Sequence, residues 1–501
     1  FMPDEYNDDR PSVRRRAVVV TFDRLPASML GCYGNEWIET PTFDDLASRS
    51  AVFDRHFAEI PGAVSPTHPW WTGRFEYFTG SAASKETPPN ETTQSTFQRL
   101  GTSGIRCRLI AERDDGLPSA DGVSIETVTG KTGLDAERSE VPFAKLIERG
   151  VELLSNPDDG SDDDSEIADL LWLHSQGVPS PWLPPRFFAG LYLDELEDDD
   201  RFGEAADEIV DRLLDQFASD PALVELLLSD PDPETEDSVE DDDSTNSSPD
   251  DRSAETPNAG SDDSSDGGIG ETGNAVSRLV FAGHVSLLDH CLKSLLTQLD
   301  ASDSETLLII SAAGGQQFDE RLPFVPREQY REDDDSGSFD ELCEPVLKTP
   351  LLLYRAGGSP APNELPDESS IPFGTRHLGF VQPPDLPATL LDWFGEKPDS
   401  ASDGQSLLTA TLGRIPPSRE IALHAGTDGS IGIRDSELMF VTDANELAAD
   451  GLSPELAGND ATFGRLFAKP DDVWDVHDLS RSLLDDRARL SDMLRERLQS
   501  A

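Results

Sequence analysis

The sequence predicts an α/β fold, a large doubly wound mixed sheet flanked by helices, with a smaller α+β domain at its C-terminal end. Three observations carry this. Residues 17–22 (AVVVTF) form a short, β-branched apolar run that stops on Asp23, the pattern of a buried parallel strand with a polar group at its C-terminal end. Similar runs alternate with amphipathic stretches as far as Trp393, which is the rhythm of strands crossed by helices on both faces. After about Glu396 the texture changes to short strands and one terminal helix.

Along the chain, the run at 17–22 is the first strand, and the edge where it ends is where open α/β sheets build their sites. Residues 42–49 read as a helix and 52–57 as a strand. A helix at 93–100 and strands at 106–111 (RCRLIA) and 169–174 (DLLWLH) follow. Residues 276–299 make a long amphipathic helix, backed by a buried strand at 305–311 (ETLLIIS). A strand at 350–354 (PLLLY) and a helix at 387–393 complete the large domain, set at 14–395 behind a flexible N-terminus, 1–13. The smaller domain, 396–501, reads as strands at 420–424, 431–434 and 438–441 and a helix at 481–498.

Residues 229–275 are rich in Ser, Asp, Pro and Gly, with Arg252 their one base. They lack the apolar groups that would offset the entropy of ordering, so they are expected to be a disordered insertion. Residues 156–166 and 332–340 are shorter versions. The net charge of −59 disfavours nucleic acid and anionic membrane as partners, since both would repel the chain. The expected partner is a protein or a small anionic ligand. Cys32, Cys107, Cys291 and Cys343 have no metal spacing and are expected to be reduced. No stretch reaches the roughly 18 apolar residues needed to cross a bilayer. Arg14-Arg15-Arg16 is followed by too short an apolar run for a secretion signal. The expected location is the cytoplasm, and Phe1 before Met2 points to an incomplete start.

Seven phrases, in order, resemble the sulfatase family of the alkaline phosphatase superfamily. They are VVVTFDRLPASMLGCYGNEWIETPTFDDLA from Val18, WWTGR at 70–74, FAGHVSLLDHCLKSLLTQL from Phe281, LLIISAAGG from Leu307, KTPLLLYRAGG from Lys348, VQPPDLPATLLDWFG from Val381 and LFAKPDDVWDVHDLS from Leu466. The resemblance implies sulfuric ester hydrolysis, with a divalent ion held by hard carboxylate oxygens. It also implies a formylglycine nucleophile at a helix start, and cationic groups around the sulfate.

Set against that pattern, the chemistry is depleted. The family's adjacent Asp pair falls on Asp23 and Arg24, and its later Asp-His or Asp-Asn pair falls on Ala312 and Ala313. Only Asp23 is retained as a metal ligand, although an Asp23–Arg24 pair would neutralise the site. The nucleophile motif is degenerate over Val64, Ser65, Pro66, Thr67 and His68; its first position falls on Val64, or on Ala63 if Thr72-Gly73-Arg74 anchors the alignment. The family's GKWH falls on Ala111-Glu112-Arg113-Asp114 and a second His on Pro179, leaving Lys348 as a candidate cation. His174, His284 and His290 read as structural, and Asp289 matches the family's mid-helix Asp. The expectation is a catalytically inactive member that acts as a binding or interaction module, with no metal or cofactor. The alternative is a divergent sulfate or phosphate ester hydrolase using Ser65 or Thr67 with Asp23, His68 and Lys348, which would need calcium or magnesium.

Overall fold

The computed structural model describes residues 15–78, 94–155, 168–178, 183–192, 268–302, 304–316, 342–357, 374–449 and 464–500. Eight strands form the large sheet: β1 (Arg15–Arg24), β2 (Ala51–Phe53), β3 (Cys107–Ala111), β4 (Ser124–Thr127), β5 (Leu170–Gly177), β6 (Glu305–Gly314), β7 (Leu351–Ala356) and β8 (Thr375–His377). Their order is β4-β3-β5-β1-β6-β7-β2-β8. From β4 to β6 the strands are parallel; β7 runs antiparallel to both β6 and β2, which makes the sheet mixed.

Alternation along the central strands divides the core into two halves. Val18, Val20 and Phe22 of β1 pack with the Pro142–Ser155 and Gly268–Asp300 helices. Ala17 and Val19 face the other way, towards Trp70, Trp71, Trp172 and the Asp385–Trp393 helix. Leu109 of β3, Leu170 and Trp172 of β5, and Leu307 and Ile309 of β6 share that second core. In register terms, Thr21 lies beside His174 on one side and Ser311 on the other. The C-terminal ends of these strands therefore present one set of side chains to one place.

A second, antiparallel sheet follows: β9 (Ala422–Ala425), β10 (Ser430–Arg434), β11 (Leu438–Asp443) and β12 (Arg465–Ala468), in the order β12-β11-β10-β9. Leu490 and Leu494 of the terminal helix, Leu484–Ser500, fill its core with Ile431, Ile433 and Phe440. No disulfide joins the four cysteines. Among the described residues, one helical span, Arg278–Asp300, is long and apolar enough to cross a membrane, and most of it is buried inside the fold.

Several elements depart from the sequence expectation. The strand expected at 52–57 ends at Phe53, because Asp54 and Arg55 turn; His56 and Phe57 rejoin neighbouring chains only through single bridges. The long helix starts at Gly268, inside the segment expected to be disordered. Extending a formed helix costs far less than starting one, so a packed segment carries polar turns ahead of it. Residues 1–13, 156–166, 229–267 and 332–340, and Pro179, lie outside the described residues.

Candidate functional site

The site lies where β1, β5, β3 and β6 end. Asp23 is buried there, and both of its carboxylate oxygens have partners. Oδ1 accepts the Val64 N–H at 3.0 Å and lies 3.3 Å from Nε2 of His174. Oδ2 lies 3.2 Å from Nη2 of Arg113. Burial opposes the charge of Asp23, but His174, Arg113 and the Val64 N–H outweigh it and hold its pKa below the ordinary value.

His174 is oriented from behind. Its Nδ1 lies 3.0 Å from Thr21 Oγ1, and Trp172 Nε1 donates to the same hydroxyl at 2.8 Å. With one lone pair taken by the indole, the hydroxyl can give its proton to Nδ1, which leaves Nε2 carrying hydrogen towards Asp23. Trp70 and Trp71 lie edge-on to the imidazole. Glu112 points elsewhere, accepting from Ser175 Oγ at 2.6 Å and the Gln176 N–H at 3.0 Å; burial still pushes it up to about 7.

The loop carrying the degenerate motif closes over this group. Gly116 has a φ of +71°, and a Cβ there would stand 2.1 Å from the Val64 carbonyl oxygen, so the two chains touch through backbone. Val64 is buried, and Ser65 Oγ donates to the Glu76 carboxylate at 2.7 and 2.8 Å. Thr67 Oγ1 donates to Glu76 Oε1 at 2.7 Å. Pro66 is exposed between them. His68 caps the single turn Pro69–Thr72, its Nδ1 accepting from the Trp70 N–H at 3.3 Å. Burial, with help from nearby His174, pushes His68 down to about 3, so it is neutral. One turn of helix offers little dipole to a developing anion.

The structure places Arg24 and Lys348 differently from the sequence expectation. Arg24 does not neutralise Asp23: adjacent strand residues point to opposite faces, and Arg24 is exposed, donating to Gln316 Oε1 at 3.0 Å. Its place is taken by Arg113, while His174 is buried and hydrogen-bonded to Thr21 beside Asp23. Ala312 packs in the core with Phe22 and Ala313 in the core with Trp70. Lys348 turns towards Glu344, 3.9 Å away, a carboxylate also held by Arg434 at 2.8 Å and Lys469 at 3.4 Å. The alternation of β5 was the signal that could have found His174; Arg113 lies beyond the end of β3, where alternation gives none.

Asp289 has a structural task. Its oxygens accept the Thr42 and Phe43 N–H groups at 3.1 and 2.8 Å, capping the Pro41–Ser48 helix, which has no cap from its own Thr40. His290 is exposed on the Gly268–Asp300 helix, beside Arg138.

The divalent ion that the fold implies does not fit these residues. Asp23 is engaged on both oxygens, Ala312 and Ala313 offer no donor atoms, and Arg113 brings a fixed positive charge beside Asp23. Among the described residues, no three His, Cys, Asp or Glu side chains are grouped to hold a metal. Val64 and Ala63 likewise cannot be converted to a formylglycine.

The mixed sheet with its site at the end of β1, and a small antiparallel sheet behind it, is the architecture of the sulfatase and alkaline phosphatase-like proteins. The sulfatase family model matches residues 15–396, and the chain belongs to that family. Steryl-sulfatase of Rattus norvegicus is 31% identical over 96 residues, a match spanning 17% of this chain and 17% of that protein. Among solved structures, a protein in complex with its substrate D-glucosamine-2-N,6-O-disulfate is similar over 98% of this chain and 99% of its own, with a TM-score of 0.60 at 14% identity. The phosphonate monoester hydrolase of Agrobacterium radiobacter is similar over 97% and 95%, with a TM-score of 0.60 at 15% identity.

Proposed function

We propose that this chain is a catalytically inactive sulfatase-family protein that works as a binding or interaction module, its partner a protein or a small anionic ligand. One observation carries the reading: the Asp23 carboxylate is paired with Arg113 from within the protein, with His174 against its other oxygen, where the family's chemistry calls for a metal. Without the ion and the nucleophile, the two largest contributions to stabilising the transition state are missing. The alternative hydrolase reading draws on Ser65, whose hydroxyl donates to Glu76, a carboxylate able in principle to take its proton. Against it, His68 is neutral and Lys348 is turned towards Glu344.

The test is turnover of an aryl sulfate and an aryl phosphate by wild type, Ser65→Ala and Asp23→Ala, prepared identically. Equal, background rates in all three support the inactive reading. Turnover by wild type that both variants lose establishes the hydrolase.

A further inference from the structure

The chain carries 99 acidic residues against 40 Lys and Arg, so two neighbouring cations without an acidic partner stand out. Arg138 opens the short turn Arg138–Glu140, and Lys293 is exposed on the Gly268–Asp300 helix. Among the described residues neither is ion-paired. Arg138 Nη1 donates to Nε2 of His290, a partner without charge, since burial, Arg138 and Lys293 hold the His290 pKa below its ordinary value. The acids beside Arg138 are engaged with backbone: Glu137 accepts the Glu140 N–H, and Glu140 Oε2 accepts the Glu137 N–H at 3.0 Å. The patch has a fixed floor and an apolar side. Phe188 packs edge-on to His290, and a Cβ at Gly283 would stand 1.8 Å from the Phe188 carbonyl oxygen, so the Arg186–Ala189 turn lies directly on the long helix. Phe187, next to it, is 73% exposed. At Tyr192 the chain is still on that face: its hydroxyl lies 2.7 Å from Ser286 Oγ, and Ser286, His290 and Lys293 follow one another at i, i+4 and i+7.

We propose that this patch is the docking surface for the chain's own acidic run at 194–200, DELEDDD, which begins two residues after Tyr192. The reach is short. Lys293 lies about 10 Å along the helix axis from Ser286, a distance that about three residues of extended chain cover. Charge selects the run, because six of its seven residues are acidic and they meet cations that the fold leaves unpaired. Tethering selects it over a separate acidic molecule. An exposed ion pair is worth about 0.2–1 kcal/mol, too little to hold a free peptide, and the net charge of −59 repels one. A short tether presents the run at millimolar effective concentration, so a few weak pairs suffice. The consequence is a basic patch covered by the chain itself, open to another acidic partner only when the run is displaced. The inference does not depend on the chain being catalytically inactive.

The experiment is zero-length carbodiimide coupling of the full chain, mixed from unlabelled and isotopically labelled protein, with the joined peptides identified by mass spectrometry. Lys131 and Glu140, 4.0 Å apart and both accessible, are the internal standard. The expected result is Lys293 joined to a carboxylate of 194–200 within one copy of the chain. Arg138→Gln leaves Lys293 and every carboxylate in place, and it is expected to lower that yield about threefold, the loss of one exposed pair, with the standard unchanged. Lys293 joined chiefly to residues 229–267, joined to the other copy, or left uncoupled while the standard couples overturns the proposal. A yield that Arg138→Gln leaves unchanged overturns it as well.

Discussion

Arg113 Nη2 and Asp23 Oδ2 form an ion pair at 3.2 Å across the ends of β3 and β1, and both side chains are largely buried. A guanidinium thus provides, covalently and permanently, the counter-charge that the family's fold leads one to expect from an ion. Removing either partner strands the other in a site of low dielectric.

Arg113→Ala is therefore expected to destabilise the protein by about 3 kcal/mol, in the range for breaking a buried pair. Arg24→Ala, at an exposed position, is expected to cost less than about 0.5 kcal/mol. Because the Asp23 pKa is lowered on folding, its contribution is present above the ordinary value of 3.8 and is lost as pH falls through the folded value. Urea unfolding of the two variants at neutral pH and near pH 3 checks both statements. Equal costs for Arg113 and Arg24 would contradict the pairing.

Metal addition or removal is expected to leave stability unchanged. A ligand stabilises the folded state only as far as it binds it, and the residues around Asp23 offer no set of donors. Melting in EDTA and in millimolar calcium or magnesium should agree within about 1 °C, and elemental analysis of protein purified without chelator should find less than stoichiometric metal. A rise of several degrees with calcium would show a site that these residues do not reveal.

Asp289→Ala is expected to cost about 2 kcal/mol, since it uncaps two N–H groups at the start of the Pro41–Ser48 helix. Burial raises Asp289 to about 6, against the lowering pull of the Phe43 and Thr42 N–H groups. A raised carboxyl stabilises most below its unfolded value of 3.8, and that advantage is lost as pH rises through 6. Asp289→Asn should accordingly gain on wild type between pH 4 and pH 6.5 in a series of thermal melts. A pH-independent difference would contradict burial as the cause.

How much of this was legible in the sequence follows from what each residue depends on. The apolar runs that became β1, β5, β6 and β7 were readable because burial on both faces demands continuous hydrophobicity. Short strands such as β4 (SIET) and β8 (TRH) were not, since they owe their conformation to a neighbouring strand already in place. The Pro142–Ser155 helix, apolar at Phe143, Leu146, Ile147, Gly150 and Leu153, was within reach by its spacing and was missed. The loss of donors at Ala312 and Ala313 could be read directly. The identity of Asp23's partner could not, because Arg113 and Asp23 are 90 positions apart and meet only through the order of the strands.

The buried histidines give the last prediction. His424 is fully buried, and its Nδ1 lies 2.8 Å from the Ala58 carbonyl, which can only accept; Nδ1 therefore carries the hydrogen. Nε2 is buried and has no hydrogen-bond partner among the described residues, so a second proton would find no acceptor there. Burial accordingly pushes His424 down to about 3, with the Arg434 and Lys469 charges adding to it and the Ala58 contact opposing it. In the unfolded chain the same ring takes a proton near pH 6.5. Between those values the unfolded state binds one more proton, so stability falls as pH falls, by up to about 1.4 kcal/mol for each pH unit. Glu59, pushed up to about 8 by burial, acts in the opposite direction, so the wild-type curve alone does not isolate the histidine. The comparison with His424→Gln does, because glutamine can still donate to the Ala58 carbonyl and does not titrate. At pH 7 the variant is expected to be less stable by about 1 kcal/mol, from imperfect packing. As pH is lowered from 6.5 towards 4, the gap should close and then reverse. Parallel curves for the two proteins in urea unfolding across this range would mean that His424 is not held neutral.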